Sequence, residues 1–358
     1  MQKTLVCFLL ISSMIGLSQN DGPVIFDVTA SCETAPVESP DDGADDPCIW
    51  VPSGNHAGTI IVGTDKKFGL ETYDLSGNKL NRFGFGNINN VDINPYYFSP
   101  NPDGIITSAL VIGTNRSTHS VDFFRLNESG ELFLIHREVI GQEMGDLYGL
   151  CAFSEQGVHY FVASDKDGTI MRASYAELSQ TNSQNTAGHV DKKAISVNDT
   201  QVFKLNSTVE GLVADTHHKT LYIAEEDRGI WAYPLVDHSA FAPRLILVTD
   251  DKLLMADIEG LTLYDQGEGQ GYILCSIQGA NSYGVLDRQS LSLLGIFKIV
   301  PSGSIDGAEE TDGIDVSAEA LPGFPKGLFV VQDGFNTTEK QNFKFVNWAD
   351  IEFHLQNN

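Results

Sequence analysis

The chain has 358 residues, with 22 Lys and Arg against 48 Asp and Glu, a formal charge of −26 at pH 7. A surface this acidic repels nucleic acid and anionic membranes, which excludes both as partners. The length suits one large β domain or two ordinary ones.

In chain order, residues 1–19 read as a secretory signal peptide. Lys3 supplies a positive start, Leu5 to Ile15 is a short apolar run, and Gly16-Leu17-Ser18 offers small residues before Gln19. The run is too short to span a bilayer. A secreted or periplasmic protein is therefore expected, with residues 20–358 as a single domain. Cys32, Cys48, Cys151 and Cys275 remain in that part. Three of them sit in apolar, strand-like runs, where a buried thiol acts as a small hydrophobe. Export would permit a Cys32–Cys48 bridge, and no Cys spacing suggests zinc.

Beyond this point the sequence is a succession of short apolar runs (TIIVGT, ALVIGT, HYFVAS, TLYIAEE, GYILCSI, GLFVVQD) separated by Gly, Asn, Asp and Pro. Each follows a polar residue that opens another apolar strand: Asp46, Asp92, Tyr148, Glu210, Glu259 and Asp312 in turn. These positions stand roughly fifty residues apart with about four short strands each, the spacing of propeller blades. The second strand of each unit also ends on polar groups: Lys66 and Lys67, Arg116, Lys166, Glu225 and Glu226, Gln278, and Asp333. The pattern predicts an all-β, six-bladed β-propeller with four-stranded antiparallel blades. A strand near Val24 to Thr29 is expected to close the ring against the last blade. The one helix-like stretch is Tyr175 to Ser179, and Gln180 to Asp199 reads as a polar loop or insertion.

In a propeller the inner strands line a central channel, so equivalent positions of all blades converge on one end of it. The six opening residues and the basic strand ends are thus expected around a single mouth. The competing account is that Asp-Gly and Glu-Gly pairs merely make turns. An acidic mouth would repel an anionic substrate unless cations intervene, and carboxylates suit calcium, which prefers hard oxygen ligands.

The segments DDPCIW (45–50), DKKFGL (65–70), NNVDI (89–93), NRS (115–117) and LYGL (147–150) resemble the β-propeller phytases, a calcium-dependent alkaline family. So do EGLVAD (210–215), LYIAEEDRGIW (221–231), DIEGLTLY (257–264), QGANSY (278–283), ETDGIDV (310–316) and QNFKFVNW (341–348), in the family's order. The resemblance implies a six-bladed propeller whose channel mouth holds several Ca²⁺ ions and hydrolyses phytate. It implies metal ligands at Tyr148, Glu210, Glu226, Asp257, Glu259 and Asp306, with Asp45 and Asp46 close by. By the same resemblance Lys66 stabilises charge on the transferring phosphoryl group, while Lys67, Arg116, Lys166 and Gln278 bind phosphate. Asp312 joins Lys66, Tyr148, Glu210, Glu226, Asp257 and Glu259 in the catalytic set. A monomer is expected from the self-contained closure of a propeller.

Three positions depart from the family pattern: Asp65 stands for Asn, Phe68 for a small polar residue, and Asp146 near a typical Glu. Asp65 would place a further negative charge beside the phosphate site. Other phosphatase signatures are missing: no Arg-His-Gly-x-Arg-x-Pro, no Cys-x₅-Arg, no phosphate-binding glycine loop and no G-x-S-x-G elbow. The nine histidines are scattered, with His217 and His218 in a turn. The rival readings are a calcium-dependent propeller lactonase or esterase and a non-catalytic calcium-binding propeller. Basic residues gathered beside calcium favour a polyphosphate over either.

Overall fold

The computed structural model describes residues 22–95, 98, 106–177, 195–235, 242–336 and 340–357. The signal-peptide reading, and residues 178–194 of the polar segment, lie outside them. Among the described residues no helix is long and apolar enough to cross a membrane.

The strands form six sheets arranged as blades. Their inner strands are Ala44–Trp50, Ile88–Asn94, Leu147–Glu155, Val209–Asp215, Ile258–Gly267 and Ile314–Ser317. Each touches the inner strand of the next blade, and the sixth touches the first, so the ring is closed. From each inner strand the chain steps outward through antiparallel neighbours. Among the second strands, Ile60–Asp65, Thr220–Glu225 and Leu328–Asp333 are buried at every residue, and the other three are buried over their last five residues or more. That is why they read as continuous apolar runs: a blade is covered on both faces by its neighbours. The interfaces are aromatic-rich, as where the Phe123 ring meets Phe161 and Tyr175 edge-on at 5.9 and 5.3 Å.

The sixth blade is completed from the amino-terminal side. Cys32–Glu33 pairs antiparallel with Asn342–Asn347, aligning Cys32 with Phe345. This corrects the expectation that Val24 to Thr29 would close the last blade. Val24–Val28 instead lies parallel to Leu293–Ile299 as a fifth strand on blade five. Its inward residues decide the docking, since Phe26 stacks on Phe297 at 5.5 Å and Val28 is buried in the same core.

Two further expectations are corrected. Tyr175 is not helical but belongs to the strand Thr169–Glu177, and Ile195–Lys204 is that strand's outer partner rather than a loop. The outer strand reads as polar because most of its residues are exposed. The helix is Trp348–Asn357, capped by Asn347, whose Oδ1 accepts from Ala349 N at 3.1 Å. It buries Trp348 and Ile351. All four cysteines are free thiols, so there is no Cys32–Cys48 bridge.

Candidate functional site

The site is built from one device repeated around the ring. In five blades the pairing of first and second strands slips by one residue, at Ala44/Pro47, Ile88/Val91, Leu147/Leu150, Val209/Leu212 and Ile258/Leu261. Each slip is a β-bulge, which re-aims a side chain. The re-aimed residues are Asp45, Asn89, Tyr148, Glu210 and Glu259, and in the sixth blade Asp312 holds the same place just ahead of its strand.

The second bulge residue is Gly149, Gly211 or Gly260 in three of these blades, and Gly313 in the sixth. A Cβ on Gly149 would lie 1.9 Å from Glu210 O, and one on Gly211 would lie 1.9 Å from Glu259 O. These glycines therefore permit adjacent blades to touch, which overturns the reading of the pairs as turns. Hydroxyls fix the bulges further. Gly149 N donates to Ser164 Oγ at 2.9 Å, and Ser164 Oγ donates to Val209 O of the next blade at 2.6 Å. Thr114 bridges Asn90 N and Tyr148 O, and Ser276 bridges Gly260 N and Asp312 O, in the same manner.

A second ring sits where the second strands end, at Lys66, Arg116, Lys166, Glu226, Gln278 and Gly334. Members of both rings line one cleft of about 770 Å³, among them Lys66, Arg116, Tyr148, Lys166, Glu259 and Asp312. This is an ordinary size for a small-molecule site.

The cleft is divided electrostatically. On one side Lys66 Nζ lies 2.7 Å from Asp42, 3.2 Å from Asp45 and 3.4 Å from Asp312. Burial works against the Lys66 ammonium, but the three carboxylates outweigh it and hold its pKa above the usual lysine value. Gln278 Nε2 donates to Asp312 Oδ1 at 2.6 Å. Asn89 Nδ2 donates to Asp45 at 2.6 Å and to Glu210 at 3.1 Å. Arg116 donates to Asn89 Oδ1 at 3.1 Å and grips Asp146 through Nε and Nη2, one edge of its fork. Lys166 Nζ lies 4.6 Å from the centre of the Tyr148 ring.

On the other side Glu210, Glu226 and Glu259 each bring one carboxylate oxygen within 4.8 Å of the others. Glu210 Oε2, Glu226 Oε1 and Glu259 Oε2 are buried without a hydrogen-bond partner. Burial, reinforced by Asp45, pushes Glu210 up to about 8. Burial, then Glu210 and Asp257, does the same to Glu226, also to about 8. Glu259 is pushed far higher, by burial and by Glu210 and Asp312. The Tyr148 phenol is raised too, by burial and by Glu210 and Glu259. Groups that share so much unwanted charge fit a hard cation, for which converging carboxylate oxygens are the usual ligands.

Several expected residues are placed otherwise. Asp46 and Asp92 are not the counterparts of Tyr148 and Glu210; Asp45 and Asn89 are. Asp46 accepts from Val91 N at 2.9 Å, and Asp92 from Ala152 N at 2.6 Å, so both tie their blade to the next one. They line a small chamber of about 60 Å³ that Glu210 also borders. Asp257 is half-buried beside Glu226, which feels its charge, and its own pKa is raised by burial and by Asp227. Lys67 does not line the cleft: its Nζ donates to Pro40 O at 2.6 Å. Asp306 is not part of the carboxylate trio and pairs with Lys344, a fully buried ammonium that also holds Glu33 and Asp333. Asp65 points away from the cleft, accepting from Arg82 at 3.1 Å, and Phe68 lies under the same guanidinium at 3.4 Å. Sequence reasoning missed Asn89, Asp42 and the grip of Asp146 on Arg116. The first was findable by aligning Asn89-Asn90 with the bulge pairs Tyr148-Gly149 and Glu210-Gly211.

The chain is similar to the 3-phytase of Bacillus subtilis (strain 168), with 37% identity over 343 residues, 92% of this chain and 86% of that protein. Among solved structures, the nidogen/laminin complex contains a chain similar over 78% of this one and 96% of its own length, with TM-score 0.46 and 12% identity. A functionally unknown protein from Desulfotomaculum acetoxidans DSM 771 matches over 71% of each chain, with TM-score 0.42 and 12% identity. The family model of the phytases matches residues 1–358 in full, and the chain belongs to the phytase family.

Proposed function

We propose that the protein hydrolyses phosphate monoesters of phytate, with calcium ions held at the channel mouth. One observation carries the reading: Glu210, Glu226 and Glu259 converge, each with a buried carboxylate oxygen that lacks a hydrogen-bond partner, and Glu259 lines the cleft that also holds Lys66, Arg116 and Lys166. A carboxylate cluster alone would repel a polyphosphate, and a lactone has no anions to engage three cations.

Glu210, Glu226 and Glu259 would hold calcium, with Tyr148 and Asp257 at the edge of the same group. Bound there, the ion would offset the acidic pocket and lower the pKa of a bound water for attack on phosphorus. The rest of the work falls to the chain. Lys66 is fixed from below by Asp45 and Asp312, at 3.2 and 3.4 Å, so its ammonium is aimed without the cost of ordering a free side chain. It would stabilise negative charge on the transferring phosphoryl group. Gln278 holds Asp312 through its amide, which keeps that carboxylate turned toward Lys66. Arg116 and Lys166 would take a second phosphate of the substrate, Arg116 through its planar fork and Lys166 as a point charge. Asp45, Asp46 and Asp306 serve the architecture in this reading, and Lys67 contributes general positive potential at the rim.

The amino-terminal apolar run supports export to the periplasm or medium, and self-closure of the ring supports a monomeric single domain. The test is phosphate release from phytate at pH 7–8, with calcium or excess chelator, on the unaltered enzyme and on Lys66→Ala. Release that needs calcium and falls by about 100-fold or more in the variant is expected from loss of a preorganised transition-state contact. Release that persists in chelator, or survives Lys66→Ala, would remove the mechanism.

A further inference from the structure

Two of the cleft's cations are engaged by exposed carboxylates in addition to their inner partners. Asp42 lies 2.7 Å from Lys66 Nζ, nearer than the buried Asp45 and Asp312 that anchor the same ammonium. Its side chain is 65% exposed. Asp146 accepts from Arg116 Nε at 2.9 Å and from the adjacent Nη2, so it occupies the bidentate edge of the guanidinium. Asp146 is 50% exposed. In both cases the cation has other, inner partners: Asp45 and Asp312 for Lys66, and Asn89 Oδ1 for Arg116. Asp42, Lys66 and Arg116 all line the cleft, and Asp146 is bound to the Arg116 guanidinium beside it.

A carboxylate and a phosphate present the same feature to a guanidinium fork, two anionic oxygens in one plane, and only one of them can use that edge at a time. We propose that Asp42 and Asp146 are internal competitors for phosphate, which occupy Lys66 and Arg116 until a substrate displaces them and thereby set which phosphate compounds bind. The proposal rests on the reading of Lys66 and Arg116 as phosphate-binding residues. An isolated phosphate gains one cation and must displace a carboxylate to do it. A compound with neighbouring phosphates reaches several cations at once, including Lys166, which has no carboxylate within ion-pair distance among the described residues. The competitors therefore leave inorganic phosphate and simple monoesters little net gain, whereas a polyphosphate keeps the gain from Lys166. The same effect would keep the released product from blocking the site. The exchange needs no opening of the core, since both carboxylates are at the surface.

The experiment compares Asp146→Asn and Asp42→Asn with the unaltered enzyme in saturating calcium. The readouts are the inhibition constant of inorganic phosphate and the KM of p-nitrophenyl phosphate. Each variant is expected to bind inorganic phosphate about fivefold more tightly, the worth of one exposed ion pair, and Asp42→Asn to lower the KM of p-nitrophenyl phosphate by a similar factor. Weaker or unchanged phosphate inhibition in Asp146→Asn and Asp42→Asn would overturn the proposal, because carboxylates that only position their cations would loosen the site when neutralised. Arg116→Met separates the two layers of the argument. If phosphate inhibits that variant as well as it inhibits the unaltered enzyme, the role given to Arg116 fails and Asp146 has nothing to compete for. Melting curves of Asp146→Asn and Asp42→Asn should match the unaltered protein, and Asp146→Glu, which keeps the charge, should keep the unaltered phosphate affinity.

Discussion

Loading the carboxylate trio with a cation should expel protons, and the structure says roughly how many. Glu210 and Glu226 are both pushed up to about 8 in the metal-free fold. At pH 7 each is then protonated roughly nine parts in ten, against almost none for an ordinary glutamate. Glu259 is raised further and is protonated as well. Calcium takes the ionised form, so binding at pH 7 should release roughly two to three protons per trio, a number that belongs to the coupled cluster and not to single residues. By pH 9.5 Glu210 and Glu226 are mostly ionised beforehand, and the release should drop to about one proton. The sign for stability follows. The folded pKa values exceed the unfolded ones, so the metal-free fold binds more protons than the unfolded chain between about 4.5 and 8. Through that window this trio costs stability as pH rises, and calcium should restore it. The assay is calorimetric titration with calcium at pH 7 in two buffers of different protonation enthalpy, with melting curves in chelator at pH 5.5 and 8. Buffer-independent heats at pH 7 would refute the reasoning, as would a chelated protein that melts higher at pH 8 than at pH 5.5.

Gly211→Ala places a methyl 1.9 Å from Glu259 O and should cost about 2 kcal/mol or more while weakening calcium binding, since Glu210 shares the bulge; a normal melting curve with normal calcium affinity would count against the bulge argument. Lys344→Met leaves Glu33, Asp306 and Asp333 without their shared cation and should cost about 3–5 kcal/mol at pH 7, measured by urea unfolding. A loss under 1 kcal/mol would mean that water serves those carboxylates as well as the ammonium does. Reductant should leave the melting temperature unchanged, because all four cysteines are free; a drop on reduction would reveal a bridge.

Much of this was legible because a propeller repeats its chemistry. Tyr148, Glu210, Glu259 and Asp312 were found in their correct places because each is followed by a glycine that the inter-blade contact demands. The same reading slipped in blades one and two, where the second bulge residue is Asp46 or Asn90. Without the glycine marker, the nearest acidic residues, Asp46 and Asp92, stand in for the ring members; Asp45 enters only by resemblance, and Asn89 not at all. Adjacent lysines looked equivalent, but neighbours on a strand end face opposite ways, so only Lys66 reaches the cleft. Asp306 was assigned by resemblance, and its partner Lys344 lies far along the chain with no local pattern to announce it. The helix Trp348–Asn357 was missed because three apolar residues on one face of ten give little periodic signal.

The strand Cys32–Glu33 completes a blade whose other members begin at Ile314, and Val24–Val28 lies on the blade before it. In a chain made from its amino end, the first strands to emerge are the last to find their places. They must stay unpaired until some 300 further residues have folded, as edge segments with open hydrogen-bonding groups. Closure of the ring is therefore a meeting of distant segments, the kind of contact that sets the pace of β folding. Cutting the chain after residue 33 would leave every catalytic side chain in the polypeptide, yet unpin the blade that carries Asp312.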